Sequence, residues 1–268
     1  MRVISLINGS MISESSSIYA LHYAKELGAV FELVHIKGQD SLDEVRKSAE
    51  DLSAAALASD VENEFLIFEN FNEFRHYVAE KDIDIIFCST RQNHSIFDRS
   101  FAQVLIRAKM KTDLAVVKIV KLSMQGSVDK LILPIRDFKL SVKKFSFFTT
   151  FALSYDSKAE IYSIDKVSKG KMATIDTQKE KSRLKEIIFH LRHYFRLAKM
   201  LDFKFSVKHD YALTEGDRVK AHIANHGYDL AIVGGHHDRG FFGQHPIDIL
   251  FKKPMLNIIY FIPYKDEQ

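Results

Sequence analysis

The fold is decided by a short apolar run that two glycines close, Tyr228-Asp229-Leu230-Ala231-Ile232-Val233-Gly234-Gly235. Continuous aliphatic residues without polar alternation predict a strand that is buried on both faces, as in a parallel sheet. A helical pattern over residues 217–225 precedes this run, and another apolar run, residues 256–262, follows it. Strands that alternate with helices in this way are typical of a doubly wound α/β fold.

The same order of elements occurs twice along the chain. In the first half, the predicted strands are residues 3–7, 30–36, 64–68, 84–88 and 114–119. In the second half, they are residues 130–135, 159–164, 204–209, 229–233 and 256–262. A long helix is predicted over residues 179–201. The repetition predicts two tandem domains, residues 1–121 and 128–264, each a five-stranded parallel sheet flanked by helices.

Composition excludes several classes of protein. Hydrophobic residues make up 46% of the 268 residues and charged residues 27%, which is globular usage and not that of a disordered chain. A single cysteine, Cys88, cannot form an internal disulfide, so we expect a reducing compartment. No apolar stretch approaches the roughly 20 residues that span a bilayer. We therefore expect a cytoplasmic protein with no membrane partner.

The net charge of +3 is unevenly distributed. Residues 1–126 hold 14 Lys and Arg against 18 Asp and Glu, whereas the remainder holds 24 against 17. A basic half could bind nucleic acid or an anionic nucleotide. No row of aromatic residues is interleaved with the basic ones, as a single-strand binding surface would need, so nucleic acid is not expected as a partner.

Both halves resemble the universal stress protein (UspA-like) family. In the second half the resemblance rests on Gly216-Asp217, the run that ends in Gly234-Gly235, and the stretch from Gly243 to Lys253-Pro254-Met255. In the first half it rests on Asn8-Gly9-Ser10 and on residues 24–29. It implies Rossmann-like (adenine nucleotide alpha hydrolase-like) domains, packed as an intramolecular pseudo-dimer through their fifth strands. It also implies a stress-response binding protein and not an enzyme.

Nucleotide-binding members of this family carry an acidic residue after strand one and a glycine loop after strand four. The loop reads Gly, two residues, Gly, nine residues, Gly, then Ser or Thr. Its glycines let backbone N–H groups approach the phosphates, and the following helix N-terminus favours negative charge. In the first half Asn8 is neutral and residues 89–101 contain no glycine. Repeat one is therefore expected to be structural.

The second half keeps a glycine-containing loop, but it is four residues shorter than the family spacing and Gln244 replaces the hydroxyl residue. The resemblance implies a site for ATP, ADP, AMP or another small anion in repeat two only. Arg136 or Arg239 could pair with phosphate in place of lost contacts. The candidate contacts are Asp137, Ile164, Gly234, Gly235, His237, Arg239, Gly240, Gly243 and Gln244.

Two other functions remain open from the sequence. His236, His237 and Asp238, with His245 nearby, have side chains that suit zinc, so a metal-assisted hydrolase is one alternative. Adjacent residues rarely point at one ion, and a solvent-facing loop is the simpler interpretation. The second alternative is a nucleotide-independent scaffold that binds an unknown protein partner through the basic helix over residues 179–201. Whether two chains form a homodimer also remains open.

Overall fold

The computed structural model describes residues 1–38, 40–90, 101–108, 110–122, 127–136, 140–234 and 254–264. Strands and helices alternate in the first half as predicted, and each predicted strand is present within two residues of its expected bounds. Its elements are β1 (Arg2–Leu6), α1 (Met11–Leu27), β2 (Val30–Ile36), α2 (Leu42–Ala58), β3 (Asn63–Phe68), α3 (Phe71–Glu80), β4 (Ile83–Thr90), α4 (Phe101–Arg107) and β5 (Asp113–Lys118).

The second half repeats this order with additional helices between its second and third strands. Its elements are β6 (Lys130–Arg136), α5 (Val142–Ser154), β7 (Lys158–Lys166), α6 (Lys169–Met172), α7 (Thr177–His190), α8 (Arg192–Met200), β8 (Phe205–Ala212), α9 (Glu215–His226), β9 (Leu230–Gly234) and β10 (Asn257–Ile262). None of the helices in the described ranges is both long and apolar enough to cross a membrane.

Local sequence explains where the first helix begins and ends. Ser10 caps α1, because its side chain accepts a hydrogen bond from the Ser13 backbone N–H at 3.3 Å. Gly28 ends α1 in the left-handed region with φ of 60°, a conformation that glycine adopts readily. These signals fix the connection from β1 through α1 to β2.

The ten strands of the described ranges form one mixed sheet in the order β3-β2-β1-β4-β5-β10-β9-β6-β7-β8. Pairs within each half are parallel, and the two halves meet through the antiparallel pair of β5 and β10. In that pair Leu114 lies opposite Ile262, and Lys118 lies opposite Ile258. The expected pairing of the fifth strands is therefore confirmed. From either outer edge to the centre, each half places its strands in the same order: third, second, first, fourth, fifth. Because β5 and β10 are antiparallel, the strands of the two halves have their carboxyl ends at opposite edges of the sheet.

The core on one face of this sheet is continuous across the junction between the halves. Tyr23 of α1 lies 5.2 Å from Phe147 of α5, measured between ring centroids. Phe147 in turn stacks on Phe261 of β10 at 4.2 Å. These aromatic rings are buried. They pack α1 and α5, the helices that follow the first strand of each half, against each other across the junction.

The sequence predicts one long helix over residues 179–201, and this prediction is wrong in one respect, because the structure has two helices there, α7 and α8. The chain leaves the helical conformation at Leu191, which has φ of −85° and ψ of 4° and is fully buried. Its backbone N–H still bonds to Ile187, but the Tyr194 N–H bonds back to the Leu191 carbonyl with the tighter three-residue spacing. The break leaves the hydrophobic period in phase, which is why the sequence pattern does not reveal it.

Candidate functional site

The carboxyl-terminal parts of β6 and β9 diverge and leave a crevice in the second half of the sheet. The two strands pair over only two positions, Leu131 with Leu230 and Ile132 with Ala231, although both continue further toward their carboxyl ends. The strand order reverses here, because β7 lies on one side of β6 and β9 on the other. Doubly wound sheets bind ligands at such a switch point.

Lys144 places its ammonium group at this crevice. Ser141 caps α5, and its Oγ accepts a hydrogen bond from the Lys144 backbone N–H at 3.4 Å. The lysine side chain lies against Gly234, the last residue of β9. A Cβ atom on Gly234 would be 2.4 Å from Cε and 2.8 Å from Nζ of Lys144. The glycine thus lets a cation approach the strand end, and such a cation stabilises an anion bound there.

Arg136, the last residue of β6, is already paired with a carboxylate. Its Nε lies 3.3 Å from Oε1 of Glu215, whose side chain is 1% exposed. Among the described residues, neither Glu215 oxygen has a well-aligned hydrogen bond. The guanidinium and the amino end of α9 therefore provide the charge that compensates for burying this carboxylate. A phosphate at Arg136 would have to compete with Glu215.

Two of the predicted contacts fall within the described residues, and they lie on neighbouring parts of the carboxyl edge. Gly234 ends β9, as described above. Ile164 lies near the end of β7, in register with Arg136 on β6 and with Asp210 on β8. The Ile164 side chain is 1% exposed and belongs to the apolar core, so it supports the edge from below.

The remaining predicted contacts lie outside the described residues. They are Asp137, Gly235, His237, Arg239, Gly240, Gly243 and Gln244. The alternative metal ligands His236, Asp238 and His245 lie outside them too, together with His237. Among the residues that the structure describes, no group of three or more His, Cys, Asp or Glu side chains could hold a metal ion. The histidine cluster stays a prediction from the sequence.

In the first half, the loop between β1 and α1 is held by hydrogen bonds between its own residues. Asn8 Oδ1 accepts hydrogen bonds from the Ser10 backbone N–H at 3.2 Å and from the Ser10 hydroxyl at 2.7 Å. Gly9 has φ of 76°, and a Cβ atom there would be 2.9 Å from the backbone of Glu44. At the third position of the following helix, Ser13 stands where the second half has Lys144. A neutral hydroxyl therefore replaces the ammonium group.

A polar cluster that the sequence analysis missed surrounds Glu160 on β7. Glu160 Oε1 accepts hydrogen bonds from Tyr228 at 2.5 Å and His222 at 2.6 Å, and Oε2 lies 3.0 Å from Lys208 Nζ. Burial alone would raise the pKa of this carboxyl, but the three donors outweigh burial and lower its pKa to about 2. The signal in the sequence that could have indicated this cluster is a glutamate inside a predicted apolar strand.

A cleft of about 400 Å³ adjoins this cluster at the edge strand β8. Tyr162 and Arg218 both bond to Asp210, at 2.5 Å and 3.0 Å, and the His222 ring stacks on Tyr162 at 3.8 Å. Burial would raise the Asp210 pKa, but hydrogen bonds from Arg218 and Tyr162 lower it. Asp210 and Arg218 are therefore paired with each other in the wall of this cleft.

Cys88, the single cysteine of the sequence, is buried. It is 3% exposed in β4, and burial raises the pKa of its thiol to about 12. At neutral pH the thiolate that a nucleophile requires is almost absent. Cys88 therefore packs as a small apolar side chain.

Comparison with solved structures identifies the fold. No protein-family model and no curated protein matches the sequence. A universal stress protein from Archaeoglobus fulgidus DSM 4304 superposes with a TM-score of 0.61 at 11% identity, over 97% of each chain. The cytoplasmic domain of a prokaryotic cation chloride cotransporter gives 0.62 at 10% identity, over 100% of this chain and 96% of that one.

A third similar structure is a putative universal stress protein from Pseudomonas aeruginosa UCBPP-PA14. Its TM-score is 0.59 at 8% identity, and the match covers 98% of this chain and 93% of that chain. At sequence identities this low, the similarity shows the fold and does not show the function. With a mostly parallel sheet flanked by helices and matches along nearly the whole chain, this protein has the universal stress protein fold.

Proposed function

We propose that this chain is a tandem universal stress protein that acts by binding, with an anion site in its second repeat. The favoured ligand is an adenine nucleotide, and another small anion of similar charge is the alternative. The observation that supports this proposal is the Lys144 ammonium group against Gly234, at the switch point of the sheet. A positive charge at the carboxyl edge of the sheet favours an anionic ligand.

The two repeats in this proposal are residues 1–121 and 128–264, packed as an intramolecular pseudo-dimer. The palindromic strand order supports the division, since each half contributes five neighbouring strands of the same sheet. The antiparallel pair of β5 and β10 supplies the contact between repeats and leaves neither of these edges open.

Only the second repeat is proposed to bind a ligand. Asn8 is neutral and uses its side-chain oxygen to hold Ser10, and Ser13 brings no charge to the first strand end. The second repeat has Lys144 at the matching helix position. Asp137, Gly235, Gly240, Gly243 and Gln244 complete the proposed contacts from the loops that follow β6 and β9.

Calorimetric titration with ATP, ADP and AMP, with and without magnesium, tests the proposal. We expect saturation near one nucleotide per chain and weaker binding by Lys144→Gln. The matched control is Lys37→Gln, which removes the same charge from an exposed pair with Glu69 in the first repeat. Equal affinity of parent and Lys144→Gln, or an absence of heat together with an unchanged melting temperature, contradicts the proposed site.

Metal analysis of the purified protein distinguishes the hydrolase alternative. That alternative requires stoichiometric bound metal that is lost when His236 and His237 are replaced by Ala. Nucleotide binding without bound metal favours the binding protein.

A further inference from the structure

The connection between β7 and β8 carries all of the positive charge excess of the chain. It spans residues 167–204, or 38 residues, whereas the equivalent connection between β2 and β3 spans residues 37–62, or 26. We call residues 167–204 the basic insertion. It holds 10 Lys and Arg against 4 Asp and Glu, while the rest of the chain holds 28 against 31. A net charge of +6 is therefore confined to one structural unit of an otherwise acidic protein.

One face of the basic insertion holds it on the sheet. The buried side chains recur at helical spacing from α7 across the break into α8, and each is at most 3% exposed: Ile187, Leu191, Tyr194 and Ala198. Phe195 stacks on Phe205 of β8 at 4.5 Å, measured between ring centroids. These contacts fix which side of the two helices turns away from the protein.

The outward side combines cations with large apolar groups. Phe189 is 59% exposed, Leu197 38% and Met200 82%. The Arg192 guanidinium lies 4.4 Å from the centroid of the Phe189 ring. Residues 187–201 contain no acidic residue. The face that results, here named the docking ribbon, consists of Phe189, Arg192, Arg196, Leu197, Lys199 and Met200.

We propose that the docking ribbon binds the protein to the surface of an anionic phospholipid bilayer. Anionic headgroups complement the three cations, and the boundary between headgroups and acyl chains accepts Phe189, Leu197 and Met200. A nucleic acid would satisfy the cations but leave the apolar side chains in water. The docking ribbon lies on a helix surface and not in a groove, which matches a flat partner. The expectation of no membrane partner rests on the lack of a spanning stretch, and a surface contact requires none. The crevice at Gly234 takes no part in this contact.

Flotation of the full chain with phospholipid vesicles tests this proposal. The vesicles are made either of phosphatidylcholine alone or of phosphatidylcholine mixed with phosphatidylglycerol. We expect the protein to float with the anionic vesicles and to remain behind with the neutral ones. Raising the salt concentration should weaken binding, because exposed charges are screened.

Two sets of substitutions separate the contributions of charge and apolar groups. Removing the cations in Arg192→Gln, Arg196→Gln and Lys199→Gln together should lower the partition coefficient by roughly a hundredfold at low salt. Removing the apolar groups in Phe189→Ser and Met200→Ser should lower it by roughly tenfold or more. All five side chains are exposed, so the circular dichroism spectrum should not change.

A matched control comes from α2, another surface helix. Arg46→Gln, Lys47→Gln and Leu57→Ser remove two exposed cations and a leucine that is 68% exposed. This variant should float like the parent. The proposal is overturned if the folded parent does not bind anionic vesicles, or if the cation-removal variant binds them equally well. Binding of duplex DNA, RNA or an acidic peptide through these residues without binding of vesicles also overturns it.

Discussion

The Lys144 ammonium group lies so close to Gly234 that a Cβ atom on the glycine would be 2.8 Å from Nζ. The two residues come from different strand–helix units and are 90 positions apart in the chain. The Ser141 cap fixes where α5 begins, and the early end of pairing between β6 and β9 opens the space that the lysine enters. The glycine and the cation therefore form one feature of the strand end.

The first prediction concerns Gly234→Ala. The added methyl group would collide with the far end of a flexible side chain and not with backbone, so the fold should survive and the ammonium should move. We expect nucleotide affinity to fall by about tenfold, which corresponds to losing one favourable contact with a charge. Titration calorimetry measures the affinity, and the melting temperature checks the fold.

Gly170→Ala is the matched control for that substitution. A Cβ atom at Gly170 would meet nothing within 4 Å, and this residue lies on α6 in the basic insertion. It should bind nucleotide like the parent. If Gly234→Ala binds with the affinity of Gly170→Ala, the lysine does not contribute to the site.

The second prediction is a pH dependence of stability that Glu160 causes. Its pKa in the folded protein is about 2, below the ordinary value of 4.5, so its ionised form is stabilised by folding. That contribution is fully present above pH 4.5 and is lost as the pH falls toward 2. Glu160→Gln should lower the free energy of unfolding by about 1–3 kcal/mol at pH 7. Denaturant titrations at several pH values should show the gap between the variants narrowing in acid.

An exposed glutamate supplies the control for this pH dependence. Glu69 is 65% exposed and pairs with Lys37 at the surface, so Glu69→Gln should change stability by less than about 0.5 kcal/mol. A gap between Glu160→Gln and the parent that stays constant from pH 7 to pH 3 would show that the carboxylate charge is not what stabilises the cluster.

The sequence predicts the strands because the relevant signals are local, whereas the pairing of the two halves is implied by the family resemblance. Leu230 to Val233 form an apolar run without alternation, and Ser10 and Gly28 mark the ends of α1 by their own chemistry. Each of these signals lies within one element or its cap. Their meaning does not depend on residues elsewhere in the chain.

The candidate site is less predictable because its contacts join distant segments. Glu160 meets Tyr228, which is 68 positions away, and Lys144 meets Gly234 only because β6 and β9 are neighbours in the sheet. The break at Leu191 escapes the periodicity argument for a different reason. A single non-helical residue leaves the apolar side chains on the same face, so the pattern looks like one helix.

The third prediction concerns Asn257, which is the first residue of β10 and joins the two halves. Its Oδ1 accepts hydrogen bonds from the backbone N–H groups of Val120 at 2.7 Å and Lys121 at 2.9 Å, and its Nδ2 donates to the Tyr19 hydroxyl at 2.9 Å. Asn257→Ala would leave these groups unpaired in a site that is 6% exposed. We expect a loss of about 2–4 kcal/mol in the free energy of unfolding, measured by urea titration.

A surface asparagine provides the comparison for that loss. Asn72 is exposed on α3, and Asn72→Ala should change stability by less than about 0.5 kcal/mol. Equal stability of Asn257→Ala and Asn72→Ala would mean that water replaces the lost bonds, and that Asn257 does not hold the halves together.

The fourth prediction is that Cys88 does not react with thiol reagents in the folded protein. Reaction requires both access and a thiolate, and Cys88 is 3% exposed with a thiol pKa of about 12. At pH 8 such a thiol is almost entirely protonated. With Ellman's reagent we expect no release of chromophore from the native protein, and one equivalent per chain after addition of guanidinium chloride. Rapid release of one equivalent without denaturant would show that β4 opens on the time scale of the assay, because a static β4 gives the reagent no path to the sulfur.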